Sequence, residues 1–315
     1  MRILVTGGAG FIGSHVSERL LRDRHDVIIV DDMNDYYSPR VKRMNLQQIQ
    51  KFGTPRYYEC DIRDEKIIES VFREGLPEAV IHLAACVGVR PSLDHALLYE
   101  SVNVAGTMVL LEQSRRNGVS KFLFASSSSI YGIADRIPSS ENDSANFPIS
   151  PYGVTKLAGE KLCFSYSHLY GLSAVCLRLF SVYGPRQRPD LVIHKFTEAI
   201  DSGRPILVFG DGSASRDYTF IDDVVEGIIS ALFYPARYDV FNIGNSSPTS
   251  VLSLIRLIEG VLCKQADIKF LEAQAGDVPA TFADISKARR MLGYEPRTPI
   301  TLGIRQFINW YKAAR

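Results

Sequence analysis

Tyr152 and Lys156 stand four residues apart in the run Pro151-Tyr152-Gly153-Val154-Thr155-Lys156, at the start of a helical pattern that reaches about residue 170. On a helix that spacing stacks the phenol and the ammonium on one face, about one turn apart. A nearby cation stabilises a phenolate and not a phenol, so Tyr152 is a candidate acid/base and Lys156 the group that eases its ionisation. The same pair also occurs on solvated helix faces. What decides between the two is whether other elements bring a reacting partner to the phenol.

The first such element lies near residue 1. Residues 2–6 read as a buried strand that runs into Gly7-Gly8-Ala9-Gly10-Phe11-Ile12-Gly13, then into a helical pattern through Leu21. Glycines spaced this way between strand and helix suit a dinucleotide: Gly7 permits the tight turn, Gly10 lets backbone approach a pyrophosphate, and Gly13 allows close helix–strand packing. The phosphates would rest on the helix N-terminus, at Phe11 and Ile12. Read alone, such a turn can also be purely structural. Its context is a second strand at residues 27–30 that ends in Asp31-Asp32, with Asn34 just beyond. An acid there accepts hydrogen bonds from adenosine ribose hydroxyls and repels a 2′-phosphate, which favours NAD over NADP.

The alternation continues, with strands at residues 56–60, 79–83, 121–125 and 173–180 and helices at 65–73, 99–117 and 152–170. This predicts an α/β fold: a Rossmann-type doubly wound parallel sheet whose ligands lie beyond the strand C-terminal ends. Asp61, Ile62, Leu83, Ala84, Ala85 and Phe180 stand at those ends, although close packing alone would also select Ala84 and Ala85. Asn103, inside helix 99–117, serves either a structural hydrogen bond or a cofactor-loop contact. The strand at 121–125 leads into Ser126-Ser127-Ser128-Ser129-Ile130-Tyr131-Gly132, hydroxyls aimed into the same site. Beyond Ser181 the periodicity breaks up. We therefore expect residues 1–180 to bind the cofactor, with a return segment near 219–245, and residues 181–315 to form mainly a smaller α/β substrate-binding portion.

Composition narrows the classes of partner. The 315 residues are 46% hydrophobic and 23% charged, with a net charge of +1, so no global field recommends nucleic acid or an anionic membrane. No stretch approaches the roughly 20 apolar residues that span a bilayer, and the first apolar run is too short for a signal-peptide core. Cys60, Cys86, Cys163, Cys176 and Cys263 are scattered, with no Cys-x-x-Cys pair and no zinc spacing. They read as reduced thiols of a cytoplasmic protein, and no metal is expected.

With the glycine turn, Asp31, the serine tract and Tyr152-x-x-x-Lys156 in this order, the chain resembles the extended short-chain dehydrogenase/reductase family, specifically its nucleotide-sugar epimerases and dehydratases. The resemblance covers essentially the full length and implies that Ser127, Tyr152 and Lys156 are the catalytic Ser, Tyr and Lys. It further implies that Lys156 holds the nicotinamide ribose and that a sugar is oxidised and re-reduced at C4. Dehydratases of the family carry an acidic pair in the serine tract, where this chain has Ser128-Ser129. Among epimerases, Val87-Gly88-Val89-Arg90-Pro91-Ser92, residues 184–190 and Gln274-Ala275-Gly276-Asp277-Val278-Pro279 look most like UDP-glucuronate 4-epimerases.

A uronate carboxylate needs donors or a cation. Ser128, Ser129 and Ser181 could donate, and Arg188 or Arg90 could supply charge. By resemblance, Val87 borders the sugar, Leu207, Val208 and Phe209 line the uracil, Arg216 contacts the diphosphate, and Asp277 takes the uridine ribose. Each has a plain alternative: the apolar triplet is simply a strand, Arg216 pairs with Asp217, and Asp277 caps a turn. The resemblance also implies a homodimer paired through helices 99–117 and 152–170.

Overall fold

The computed structural model describes residues 1–133, 136–143, 147–272 and 279–314. Runs such as Ile3-Leu4-Val5 and Val27-Ile28-Ile29-Val30 are apolar at successive positions, so their strands must be covered on both faces. Ile3, Val5, Val27 and Ile29 enter one core cluster, while Leu4, Ile28 and Val30 enter another. The chain supplies β1 (Arg2–Thr6), α1 (Phe11–Arg22), β2 (Asp26–Asp31), α2 (Pro39–Ile49), β3 (Arg56–Glu59), α3 (Glu65–Gly75) and β4 (Ala79–His82). Then come α4 (Val89–Asp94), α5 (Ala96–Glu100), α6 (Gly106–Arg116), β5 (Lys121–Ser127), α7 (Pro151–Tyr170) and β6 (Ser173–Leu179).

Past β6 follow β7 (Ser181–Tyr183), α8 (Val192–Ser202), β8 (Ile206–Phe209), β9 (Ser215–Phe220), α9 (Ile221–Phe233) and β10 (Tyr238–Ile243). The last part holds β11 (Pro248–Ser250), α10 (Val251–Leu262), β12 (Ile268–Leu271), β13 (Ala280–Thr281), α11 (Ser286–Leu292) and α12 (Ile300–Ala313). The main sheet has the order β10-β6-β5-β4-β1-β2-β3, and every pairing in it is parallel. This is the doubly wound arrangement, with β1 beside β4 at the point where the strand order reverses. A smaller sheet sets β9 between β11 and β13, with β7 also on β9, and β8 pairs with β12.

Three local features depart from the sequence expectations. The helix expected over 99–117 is interrupted by a π-helical turn, Ser101–Ala105, between α5 and α6. Such a one-residue insertion redirects side chains, and here it buries Asn103. Strand β5 runs on through Ser126 and Ser127, which pair with Arg178 and Leu179 of β6. Only Ser128–Tyr131 leaves the strand, as a short helical turn. Finally, α2 was not anticipated, because two of its three buried residues are the polar Lys42 and Asn45, which hides an apolar stripe.

Helix α7 is seated tightly on the sheet. Gly159 faces the Phe124 ring so closely that a Cβ would lie 2.2 Å from it, and a Cβ on Gly153 would lie 2.7 Å from the Ser129 carbonyl oxygen. Ser150 caps the helix, accepting from the Gly153 N–H at 3.1 Å, and Pro151 fills the first turn. These contacts fix Tyr152 over the C-terminal end of β5.

Candidate active site

A cavity of about 830 Å³ opens at the C-terminal ends of the main-sheet strands. Its walls include Gly7, Phe11, Ile12 and Gly13 from the glycine turn, Asp31, Asp32 and Asn34 after β2, and Asp61 and Ile62 after β3. Leu83, Ala84, Ala85 and Val87 follow β4, and Ser127, Tyr152, Lys156, Phe180, Ser181, Arg188 and Arg216 form the rest of the expected set. Among the described residues, Gly10, Arg90, Asn103, Ser128, Ser129, Leu207, Val208 and Phe209 do not line it. Gln274 and Asp277 lie outside the described residues.

The glycine turn is built for a close ligand. Gly7 has φ 68°, and a Cβ on Gly13 would lie 2.1 Å from the Gly7 carbonyl oxygen. The N-cap of α1 is Gly10, with no side-chain hydrogen bond, so the first N–H groups of the helix are left for a ligand. That cradle fits a pyrophosphate. Asp31 is only 5% exposed and accepts from the Ala9 N–H at 3.2 Å, the Met33 N–H at 3.1 Å and the Lys42 ammonium at 3.1 Å. Burial raises its carboxyl pKa, against the pull of Lys42. Asp31 thus braces the glycine turn as well as lining the cavity. Lys42, which also lies 3.6 Å from Asp32, is a site residue that sequence reasoning missed.

Asn103 serves the wall and not the cavity. Its side chain accepts from the Cys86 N–H at 2.8 Å and donates to the Cys86 carbonyl at 2.9 Å and the Thr155 hydroxyl at 3.0 Å. The structural hydrogen bond is present, and it is made to a loop that lines the cavity. Its bonds tie the loop after β4 to α7, one residue from Lys156.

At the centre, Ser127 and Tyr152 both line the cavity, and the Tyr99 ring stands edge-on to Tyr152 at 6.1 Å. Burial raises the phenol's pKa, while the Ser127 hydroxyl and the Arg188 charge oppose the rise. Lys156 lines the cavity on the same helix as Tyr152. Its ammonium donates to the Ala125 carbonyl at 2.8 Å, sits 5.0 Å over the Phe124 ring, and is brought down to about 8 by burial. The four-residue spacing places both groups on one helix face, but the ammonium is engaged with β5.

The substrate end differs more from expectation. The Ser129 hydroxyl is a partner of Ser127 at 3.2 Å, so it is drawn into the serine turn. Val208 is buried, Leu207 is half exposed, and Phe209 lies under the Arg90 guanidinium at 4.7 Å, outside the cavity. The plain strand reading of the triplet therefore suffices for Val208. Arg216 lines the cavity, and Asp217 is not its partner: that carboxylate accepts the Asn245, Ser246 and Ala283 N–H groups. Arg188 is held by Asp190 through two contacts of 2.8 Å, with Tyr36 alongside. Asp190 and Tyr36 also line the cavity, and neither was foreseen.

Among the described residues no helix is long and apolar enough to cross a membrane, and no cluster suits a metal ion. Residues 3–244 match the NAD dependent epimerase/dehydratase family. The chain is 40% identical over 310 residues to the UDP-glucuronate 4-epimerase of Thermodesulfobacterium geofontis, covering 98% of this chain and 95% of that one. It superposes with a TM-score of 0.94 on the crystal structure of UDP-glucuronic acid 4-epimerase from Bacillus cereus in complex with UDP-glucuronic acid and NAD, at 36% identity and 100% coverage of both. The UDP-glucose 4-epimerase of Thermotoga maritima, solved with UDP-glucose, gives a TM-score of 0.93 at 35% identity, covering 100% of this chain and 99% of that one.

Proposed function

The chain belongs to the NAD-dependent epimerase/dehydratase family, and on that premise we propose that it is a UDP-glucuronate 4-epimerase, interconverting UDP-glucuronate and UDP-galacturonate. The observation that carries the choice of sugar is Arg188, a cation in the cavity wall whose charge acts on the Tyr152 phenol. A sugar with its 4-hydroxyl at Tyr152 would bring its C5 carboxylate within reach of that cation. NAD, when bound, supplies the hydride acceptor and donor for C4. Tyr152 takes the proton from the 4-hydroxyl and later returns one, Ser127 hydrogen-bonds that oxygen, and Lys156 would hold the nicotinamide ribose. Ser181 and Arg188 hold the carboxylate, which keeps the 4-keto acid from losing carbon dioxide.

The experiment is incubation of purified protein with NAD and UDP-glucuronate, followed by NMR. We expect UDP-galacturonate, and a kcat at least about 1,000-fold lower in Tyr152→Phe. Unchanged substrate, or a UDP-pentose, would overturn the assignment. UDP-glucose is the second reading, favoured by the structural likeness to the UDP-glucose 4-epimerase of Thermotoga maritima.

Residues 1–180 with 219–245 are read as the cofactor portion, and the remainder of 181–315 as the UDP-sugar portion. Cytoplasmic residence is supported by the five unpaired cysteines. A homodimer is supported by apolar residues on the outer surfaces of α5, α6 and α7, among them Leu97, which is 85% exposed.

A further inference from the structure

We propose that Asp190 is a positioning residue that aims Arg188 and thereby sets how strongly the site prefers an acidic sugar over a neutral one; this rests on the uronate reading above. Asp190 Oδ1 and Oδ2 accept from Arg188 Nε and Nη2, each at 2.8 Å. A guanidinium can present two edges to carboxylates, so a contact on the Nε/Nη2 edge leaves the Nη1 edge to face a second anion. Tyr36 stabilises the arrangement from the cofactor side: its ring lies 5.7 Å from the guanidinium and its hydroxyl 3.4 Å from Asp190 Oδ2.

The loop that carries the pair is itself fixed. Arg186 has φ 64°, a conformation a non-glycine residue holds only when its surroundings require it. It donates to His15 Nδ1 at 2.7 Å and to Glu18 at 3.0 Å on α1, and His15 Nε2 lies 2.9 Å from the Pro185 carbonyl. The backbone two residues before Arg188 is thus pinned to the cofactor helix, and the bidentate contact with Asp190 fixes the side chain. Without Asp190 a long, flexible side chain would have to be ordered by the substrate alone, and the binding term specific to a carboxylate would weaken.

The test compares kinetics on UDP-glucuronate and UDP-glucose. Wild-type turnover of UDP-glucuronate is measured first; its absence would sink the uronate reading and this inference together. Given that turnover, Asp190→Asn should raise KM for UDP-glucuronate about tenfold, change kcat less than KM, and lower the acidic-to-neutral ratio of kcat/KM about tenfold. Asp190→Glu, which keeps the carboxylate, should recover most of that ratio. In an Arg188→Met background, Asp190→Asn should change the ratio by less than about twofold, because its effect runs through Arg188. Equal losses on both substrates, a lower KM for UDP-glucuronate, or an additive effect in the Arg188→Met background would each overturn the assignment and leave the uronate reading standing.

Discussion

Ser127 does two things at once to Tyr152. It opposes the rise in the phenol's pKa that burial imposes, and on the proposed function it would hold the substrate oxygen. Removing its hydroxyl should therefore act on rate and on pH dependence together. In Ser127→Ala we expect kcat to fall roughly 10- to 100-fold. The sign of the pH effect follows from the direction: the Ser127 hydroxyl lowers the phenol's pKa, its loss raises it, and the phenolate forms only at higher pH. The limb of kcat/KM that rises with pH should thus move to higher pH; an unmoved limb would mean that Ser127 does not tune the phenol. Ser127, Tyr152 and Gly7 were legible because their chemistry depends on residue type at fixed spacing along one strand end or one helix turn. Lys42 and Tyr36 were not, since they meet Asp31 and Asp190 only through the fold; Asp190 stands two residues from Arg188, but nothing in that run showed that the pair faces the cavity. The Lys156 contact was not legible for a related reason: four-residue spacing sets which face a side chain leaves from, and the Ala125 carbonyl draws one of its N–H groups.

The elements around the site are locked by a buried ion pair that spans α7 and β6. Arg178 Nε and Nη2 each donate to Glu160 at 2.9 Å, Arg178 Nη1 donates to the Tyr131 hydroxyl at 2.9 Å, and Ser126 donates to Glu160 at 2.6 Å. Tyr131 in turn donates to Asn242 of β10 at 2.7 Å, so one network joins the serine tract, α7, β6 and the sheet edge. Arg178→Met should cost about 3–5 kcal/mol in denaturant unfolding, because it strands a buried carboxylate. The double variant Arg178→Met with Glu160→Leu should cost less than that single change, since no unpaired charge remains. Losses that simply add would show that the pair is not acting as a unit. Most elements were readable because β1, β2, β4 and β6 are apolar on both faces and are separated by helices of recognisable period. The π turn escaped because its register shift serves Asn103 and the loop after β4, a tertiary demand with no signature in helical periodicity. The extension of β5 into the serine tract escaped because serine is a poor strand former, and here β6 and Glu160 supply partners for it.

At the scale of the molecule, the question is what covers the outer surfaces of α5, α6 and α7. Helix α7 packs on β5 and β6, and α5 and α6 pack on α7, yet these helices turn apolar groups outward: Leu97 is 85% exposed, Met108 43% and Val154 52%. We read these exposed apolar groups on adjoining helices as an association surface. A second copy is the economical occupant, because a two-fold axis would set each patch against itself and build a four-helix contact from two helices of each chain. The cavity itself is formed by one chain, and Tyr152 and Lys156 line it while Val154, between them on α7, points outward. Assembly would thus stiffen the helix that carries the acid/base without lending residues to the site. In sedimentation velocity we expect the wild type to run at about twice the 35.1 kDa chain mass. Placing charge in the patch, as Leu97→Glu with Met108→Glu, should leave a species of the single-chain mass, because a buried unpaired carboxylate opposes the contact at each copy. That monomer should keep turnover within about tenfold of the dimer, since the cavity needs no second chain. A wild type that sediments as a monomer at micromolar concentration would remove the two-fold contact from consideration and leave the patch for a different partner.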